Sequence, residues 1–380
     1  MNQTTSLAAD RFASWRQLPA RLLLGALLAL LVAAALVPIK AGESKTDVAG
    51  FVENVAGQKR PETQRPRDDD LALYDRVIAR IGHGENYYKV AAEEHRKAHY
   101  PLRPGVAVRL PTLAYLAALL GDPGKGADAV VPGLLIAAIA LLAATLWAWW
   151  RRLGDEGLDP RLRRFAMALL FLGASLGLNR YYFVLHELWA GMLLALAMGL
   201  HRPGRKWLAA LLVAGLALAI REHALPFVLL MAAMAFWRRD WKEGAAWSAL
   251  AVAFFAYLAW HLAQVSQHVL PSDPEGPDWL VLRGLSGWLS NVVLSSNLRF
   301  LPHFVAGPLV VLAVFGWSGW KSPAGQFATL LFLGYALAFM IAGRGDNFYW
   351  GAVIAPAMFM GLAFVPMAAG SLLRAAKRAA

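Results

Sequence analysis

The stretch Asp68–Pro104, DDDLALYDRVIARIGHGENYYKVAAEEHRKAHYPLRP, divides one apolar run from a large block of further apolar runs. It is charged and aromatic-rich, and it has the length of two short helices joined at Gly82-His83-Gly84. Three successive carboxylates open it, Tyr74, Tyr87 and Tyr88 follow, and Tyr100-Pro101 with Arg103-Pro104 closes it. A polar connection this long inside a compact protein is uncommon unless it serves a function.

Outward from this stretch, composition sets the class. The chain has 380 residues, 58% of them hydrophobic and only 16% charged, with a mean hydropathy of +0.45. A soluble domain could not hide that much apolar surface, so the sequence predicts an all-α, polytopic integral membrane protein. A net charge of +12 would point to nucleic acid in a soluble protein. Here the basic residues sit in short loops between apolar runs, as expected for loops on the cytoplasmic side, and nucleic-acid binding is not expected. The absence of cysteine excludes disulfides, thiolate catalysis and Cys-ligated metals.

Apolar runs fall at 22–38, 128–149, 164–180, 184–200, 207–220, 223–237, 245–263, 302–320, 325–342 and 348–367, or about ten transmembrane helices if each crosses once. The first follows Arg11, Arg16 and Arg21 and has no A-x-A-like cleavage site before Lys40, so it reads as a retained helix. Basic clusters at Arg151–Arg164, Arg202–Lys206, Arg238–Lys242, Lys321 and Arg374–Arg378 alternate with other loops, which predicts an inner-membrane protein with both termini cytoplasmic. The whole chain then forms a single membrane domain, with 39–127 as a long helical first outer (periplasmic) loop and 264–301 as a second outer loop. Leu110–Leu120, opened by Pro111, and the amphipathic Trp279–Leu294 are both expected to rest on the outer interface.

With that topology, the charges left over collect at the outer side. They are Asp68–Asp70 and Asp75; Asn179, Arg180, His186 and Glu187; Arg221, Glu222 and His223; Arg299 and His303; and Arg344, Asp346 and Asn347. Ionisable groups at helix ends inside a bundle are expensive, so their convergence from five loops marks a candidate site. Each also has a plainer reading. The acidic triplet suits an ordinary solvated loop, Glu187 suits a helix N-terminus, and Arg221 and Glu222 suit each other as a pair. Glu187 heads a stripe of Gly191, Ala195 and Gly199 at i+4 spacing, which predicts a close helix contact and a carboxylate directed into the bundle. His186-Glu187 is not a zinc helix, because Ala190 stands where H-E-x-x-H requires histidine. His83, His95 and His99 are too loosely spaced for a metal site, and there is no phosphate-cradling loop or nucleophile elbow.

Taken in order, Asp69-Asp70-x-x-x-Tyr74, Gly82-x-Gly84-x-x-Tyr87-Tyr88, Tyr100-Pro101…Arg103-Pro104, Glu187 at the start of its helix, Arg221-Glu222 and Gly343-Arg344…Phe348-Tyr349 resemble the C-type membrane glycosyltransferases, the GT-C superfamily. Protein mannosyltransferases and the lipid A aminoarabinose transferase belong to that group. The resemblance implies a cell-envelope transferase that moves a sugar from a polyprenyl-phosphate donor to a lipid, glycan or protein acceptor at the outer face, with inversion. It also implies that a first-loop aspartate, Asp70 or its neighbour Asp69, is the general base and that Glu187 orients the acceptor or the sugar. A carboxylate suits the base, since it takes the proton as the nucleophile forms. Arg221, Arg344 or Arg180 could clamp the phosphate leaving group. Tyr74, Tyr88, Arg103, His186, Glu222, His303 and Asp346 complete the expected substrate-binding set, and the acidic triplet leaves room for a divalent cation. Two other functions fit the composition. A transporter or flippase for a lipid-linked or anionic substrate would carry its charges near the midplane on related halves, and a non-catalytic membrane subunit would use the loop to bind a partner.

Overall fold

The computed structural model describes residues 10–40, 69–121 and 131–378, and all its regular secondary structure is helical. In chain order the helices are α1 (Gln17–Leu36), α2 (Asp69–Gly82), α3 (Tyr87–Lys97), α4 (Thr112–Leu120), α5 (Val131–Asp155), α6 (Pro160–Ala174), α7 (His186–Leu200) and α8 (Leu208–Ile220). They continue with α9 (Leu225–Trp237), α10 (Trp241–Ser266), α11 (Gly284–Leu294), α12 (His303–Gly319), α13 (Pro323–Ile341), α14 (Ala355–Met358) and α15 (Val365–Lys377). Five segments are long and apolar enough to cross a membrane: α1, α5, α10, α13 and the stretch Ala355–Lys377. The protein is therefore built for a membrane, and shorter apolar helices fill the spaces between these five.

The helix starts follow capping chemistry. Asn86 caps α3 by accepting from the Tyr88 and Lys89 amides at 3.0 and 3.2 Å. Asp159 with Pro160, and Ser322 with Pro323, open α6 and α13 in the same way. Gly84, at φ +85°, makes the turn between α2 and α3.

The first long loop folds back on the bundle. Leu71, Tyr74, Val77, Ile78 and Ile81 form one face of α2, which packs on α3 and α4. Across the other side of this hairpin, Arg80 bridges Glu85 (2.5 Å), Glu93 (2.6 Å) and Glu94 (3.0 Å), while Arg76 reaches Glu94 at 2.9 Å. A clasp then ties the loop to the segment after α10. Arg96 holds Asp273 through two bonds of 2.8 Å, and Arg103 donates to the Asp273 carbonyl at 2.6 Å.

Every apolar run read from the sequence contains a helix, but some details differ. The run at 348–367 is not one regular helix: a tight 3-10 stretch spans Gly345–Val353, α14 is only four residues, and a second 3-10 stretch at Phe359–Phe364 leads into α15. Glycines at 351 and 361 and prolines at 356 and 366 make a continuous ladder unfavourable there. Trp279–Leu294 is not one amphipathic helix: Leu280, Val281 and Leu282 are exposed, as a surface segment would be, but the part that follows is not. Only Gly284–Leu294 is helical, and its Trp288, Leu289, Asn291 and Val292 are buried between the Gly345–Val353 stretch and α13. Leu110–Leu120 does form a helix opened by Pro111, as expected.

At the other end of the bundle, the two chain ends meet. Asp10 accepts from Ser371 at 2.6 Å, and the Arg11 amide donates to the Gly319 carbonyl at 2.9 Å. The N-terminal segment, the α12–α13 turn and α15 thus share one end.

Candidate functional site

Helix α7 organises the site, and its small-residue stripe is what lets it do so. A side chain added at Gly191 would overlap the Ala352 carbonyl oxygen, and one at Gly199 would press on Trp149 of α5. The Trp149 indole donates to the Ala195 carbonyl at 2.9 Å. The stripe therefore brings α7 against both α5 and the Gly345–Val353 stretch, with Glu187 at the top of the same face. Glu187 is wholly buried.

Its counter-charges come from two distant loops. Arg221, at the end of α8, places Nε 2.7 Å from Glu187 Oε1, and Arg109, just before α4, places Nη2 at 3.5 Å. The Arg221 approach is off the N–H direction, so charge alone holds the pair, and neither Glu187 oxygen accepts a hydrogen bond among the described residues. Arg221 also pairs with Glu222. Two arginines and two glutamates thus balance in a cluster that is buried except at the half-buried Glu222. Burial without balance would cost several kcal/mol per ion.

Arg109 extends this cluster to the surface of a cleft. Its Nε donates to the Tyr74 hydroxyl at 3.0 Å, and its Nη2 to the Tyr349 hydroxyl at 3.2 Å. The Tyr87 hydroxyl donates to the Arg109 carbonyl at 2.6 Å and fixes its backbone. Asn347 adds a second donor to Tyr349 at 3.3 Å. Burial pushes the Tyr74 phenol above its ordinary value, so it is neutral at any physiological pH.

The cleft is open to the outside and has a cavity volume of about 50 Å³. Asp70, Tyr74, Arg109, Ser295, Arg299 and Tyr349 supply its polar wall, and Leu71, Leu176, Leu185, Leu294 and Phe348 an apolar one. Asp70 and Tyr74 share a face of α2 at i,i+4 spacing. The Arg299 guanidinium lies over the Phe300 ring at 4.8 Å and the Tyr182 ring at 5.9 Å. Behind Tyr74 a second, water-sized cavity is lined by Tyr87, His95 and His186, with the His186 ring edge-on to Tyr74 at 5.1 Å. Burial pushes the His95 imidazole down to about 4, so it is neutral.

The expected residues are placed unequally. Asp70 and Tyr74 line the cleft, and Glu187, Arg221 and Glu222 stand behind it in the charge cluster. Asp69 lies in the first turn of α2, its side chain is not described, and Asp68 lies outside the described residues. Arg344 and Asp346 pair with each other through bonds of 3.1 and 2.7 Å, which holds the guanidinium above its ordinary value. Tyr88 is turned away: its hydroxyl meets His261 at 3.2 Å and its ring packs on Trp260, joining α3 to α10. Arg103 serves the clasp with Asp273 and Glu275. Arg180 and His303 are exposed and do not line the cleft. Among the described residues no three His, Asp or Glu side chains gather as a cation site.

Arg109, Ser295, Arg299 and Tyr349 are polar cleft residues outside the expected substrate-binding set, although Arg299 stands among the converging outer charges and Tyr349 in the motif of the resemblance. Arg109 carried a readable signal: it is a lone arginine inside the apolar run Val106-Ala107-Val108-Arg109-Leu110, in a loop outside the basic clusters. Fold and site define an all-helical, membrane-embedded protein with a cleft at one end of its bundle lined by one carboxylate and two arginines. Compared with known protein families, curated proteins and solved structures, the chain matches none of them.

Proposed function

We propose that the protein is an inverting glycosyltransferase of the inner membrane. In this reading about ten helices cross the membrane, both termini are cytoplasmic, and the cleft opens on the periplasmic side. A sugar passes from a polyprenyl-phosphate donor to a hydroxyl of a lipid, glycan or protein acceptor. The single observation that carries the proposal is the pairing, in one cleft, of the Asp70 carboxylate with Arg109 and Arg299 beside an apolar wall.

The chemistry assigns each group a role. Asp70 takes the proton as the acceptor oxygen forms its bond to the anomeric carbon. The bond from that carbon to the phosphate oxygen breaks with its electron pair going to the phosphate, and attack from the opposite face inverts the centre. A basic side chain must balance the leaving charge. Arg221, Arg344 and Arg180 do not line the cleft, whereas Arg299 lines it together with Asp70. Arg299 takes that role by its place, and the leucines with Phe348 take the prenyl chain.

The test is a gene deletion followed by mass spectrometry of envelope glycans and glycolipids, with complementation by the wild-type chain and by Asp70→Asn. A sugar modification that is lost on deletion, restored by the wild type and not by Asp70→Asn supports the proposal. Full complementation by Asp70→Asn moves the base to Asp69 or Glu187, and full complementation by variants at all three positions ends the enzyme reading.

A further inference from the structure

The polar wall of the cleft contains a pattern that the base alone does not explain. Tyr74 and Tyr349 both use their oxygen to accept from one guanidinium, Tyr74 from Nε and Tyr349 from Nη2. Tyr349 accepts a second time, from the Asn347 amide. A phenol whose oxygen faces a donor must turn its own proton elsewhere. Among the described residues neither hydroxyl donates to a protein acceptor, and the Glu187 oxygens behind them accept nothing. Both phenols and Asp70 line the same cleft. Two phenol oxygens held by the Arg109 donors and one carboxylate thus share one polar wall.

We propose that Arg109 sets Tyr74 and Tyr349 as a pair of hydrogen-bond donors which, with Asp70, form a subsite for one alcohol hydroxyl. A hydroxyl has one proton and two lone pairs, so it donates to Asp70 and accepts from both phenols. An ammonium has three donors and no lone pair, and it would leave both phenols unsatisfied beside the Arg109 charge. The subsite therefore selects alcohols over amines. Arg109 is a positioning residue here, and Glu187 acts one step further back as its counter-ion. The consequence for the acceptor class rests on the glycosyl-transfer reading; the subsite itself does not.

The test uses the full chain in lipid nanodiscs with 3-fluorotyrosine at position 74 or 349, read by fluorine NMR. The probes are 1-octanol, octane and octylamine, since the apolar wall suits an alkyl chain. Octanol shifts both resonances saturably, whereas octane and octylamine shift neither. Arg109→Met, which keeps the stem and loses the donors, weakens the octanol response at least about tenfold, one lost hydrogen bond to a charged group. Tyr349→Phe, the gentler change, weakens the response at position 74 with the fold intact. The proposal is overturned if octanol moves neither resonance, if octylamine moves both as strongly, or if both variants respond as the wild type does. An octanol response without any sugar transfer would sink the transferase reading and leave the subsite standing. Sugar transfer without an octanol response would do the reverse.

Discussion

The two ends of α7 both bury a glutamate, and they treat it in opposite ways. At the C-terminal end Glu243 is completely enclosed and fully bonded: His201 meets it at 2.7 Å, the Gly204 amide at 3.0 Å, Arg238 at 3.2 Å and the Trp247 indole at 3.4 Å. At the N-terminal end Glu187 is equally enclosed, yet its two arginines hold it by charge and no donor is aligned with its oxygens. A saturated carboxylate fastens loops together, here the turns after α7 and α9. An unsaturated one beside two buried arginines balances charge without using up their donors, which leaves Arg109 free to serve the neighbouring cleft.

Substitutions can break or sharpen this contrast. The largest effect is expected at the cleft itself, where Asp70→Asn lowers sugar transfer by about 10²–10⁴-fold with an unchanged elution profile and thermal midpoint. Glu243→Ala should do the converse. It leaves His201 and Arg238 without their partner and costs about 3–5 kcal/mol of stability, seen as a lower unfolding midpoint, with transfer per folded molecule unchanged. Glu187→Gln removes the charge that anchors Arg109, and transfer falls by the equivalent of about 1.5–3 kcal/mol. A loss of stability with no loss of transfer would make the two ends of α7 alike. Gly191→Ala forces α7 off the Ala352 carbonyl and costs about 1–3 kcal/mol of stability.

The smallest effect concerns acid. Asp273 is held at about 2 by the Arg96 guanidinium, below the ordinary value of about 3.9. A carboxylate with a depressed value stabilises the fold above its ordinary range, and that contribution fades as pH falls from about 4 toward 2. Because Arg96 is 31% exposed, the contribution is at most about 1 kcal/mol. The protection factors of the α3 amides, corrected for the intrinsic rate, should therefore fall on acidification in the wild type, and Arg96→Gln should weaken that dependence.

Much of this was legible in the chain before its structure. Each apolar run contains a helix, because hydrocarbon thickness sets run length, but the buried α11 lies outside the runs and the run at 348–367 is broken into short pieces. The i+4 stripe below Glu187 was readable for a similar reason, since only glycine and alanine allow such close approach. Pairing was harder to read. Arg103 and Tyr88 sit in the same motif-rich loop as Asp70 and Tyr74, and nothing local says that the former turn toward Asp273 and His261. Arg344 looks like a free cation until Asp346, two residues on, is seen to occupy it. Arg109 stands out as a lone arginine, but its role is not legible, because its three partners come from α2, α7 and residue 349, each far from it in sequence.

The Gly345–Val353 stretch lies between α7 and α11 with almost no clearance: a methyl group on Gly191 would strike Ala352, and one on Gly351 would strike Asn291. It is thus a shim, thin because of its glycines, and Tyr349 rides on its edge. Any sliding of either neighbouring helix must displace that phenol relative to α2, so the gap across the cleft is set by how tightly three backbones can be stacked.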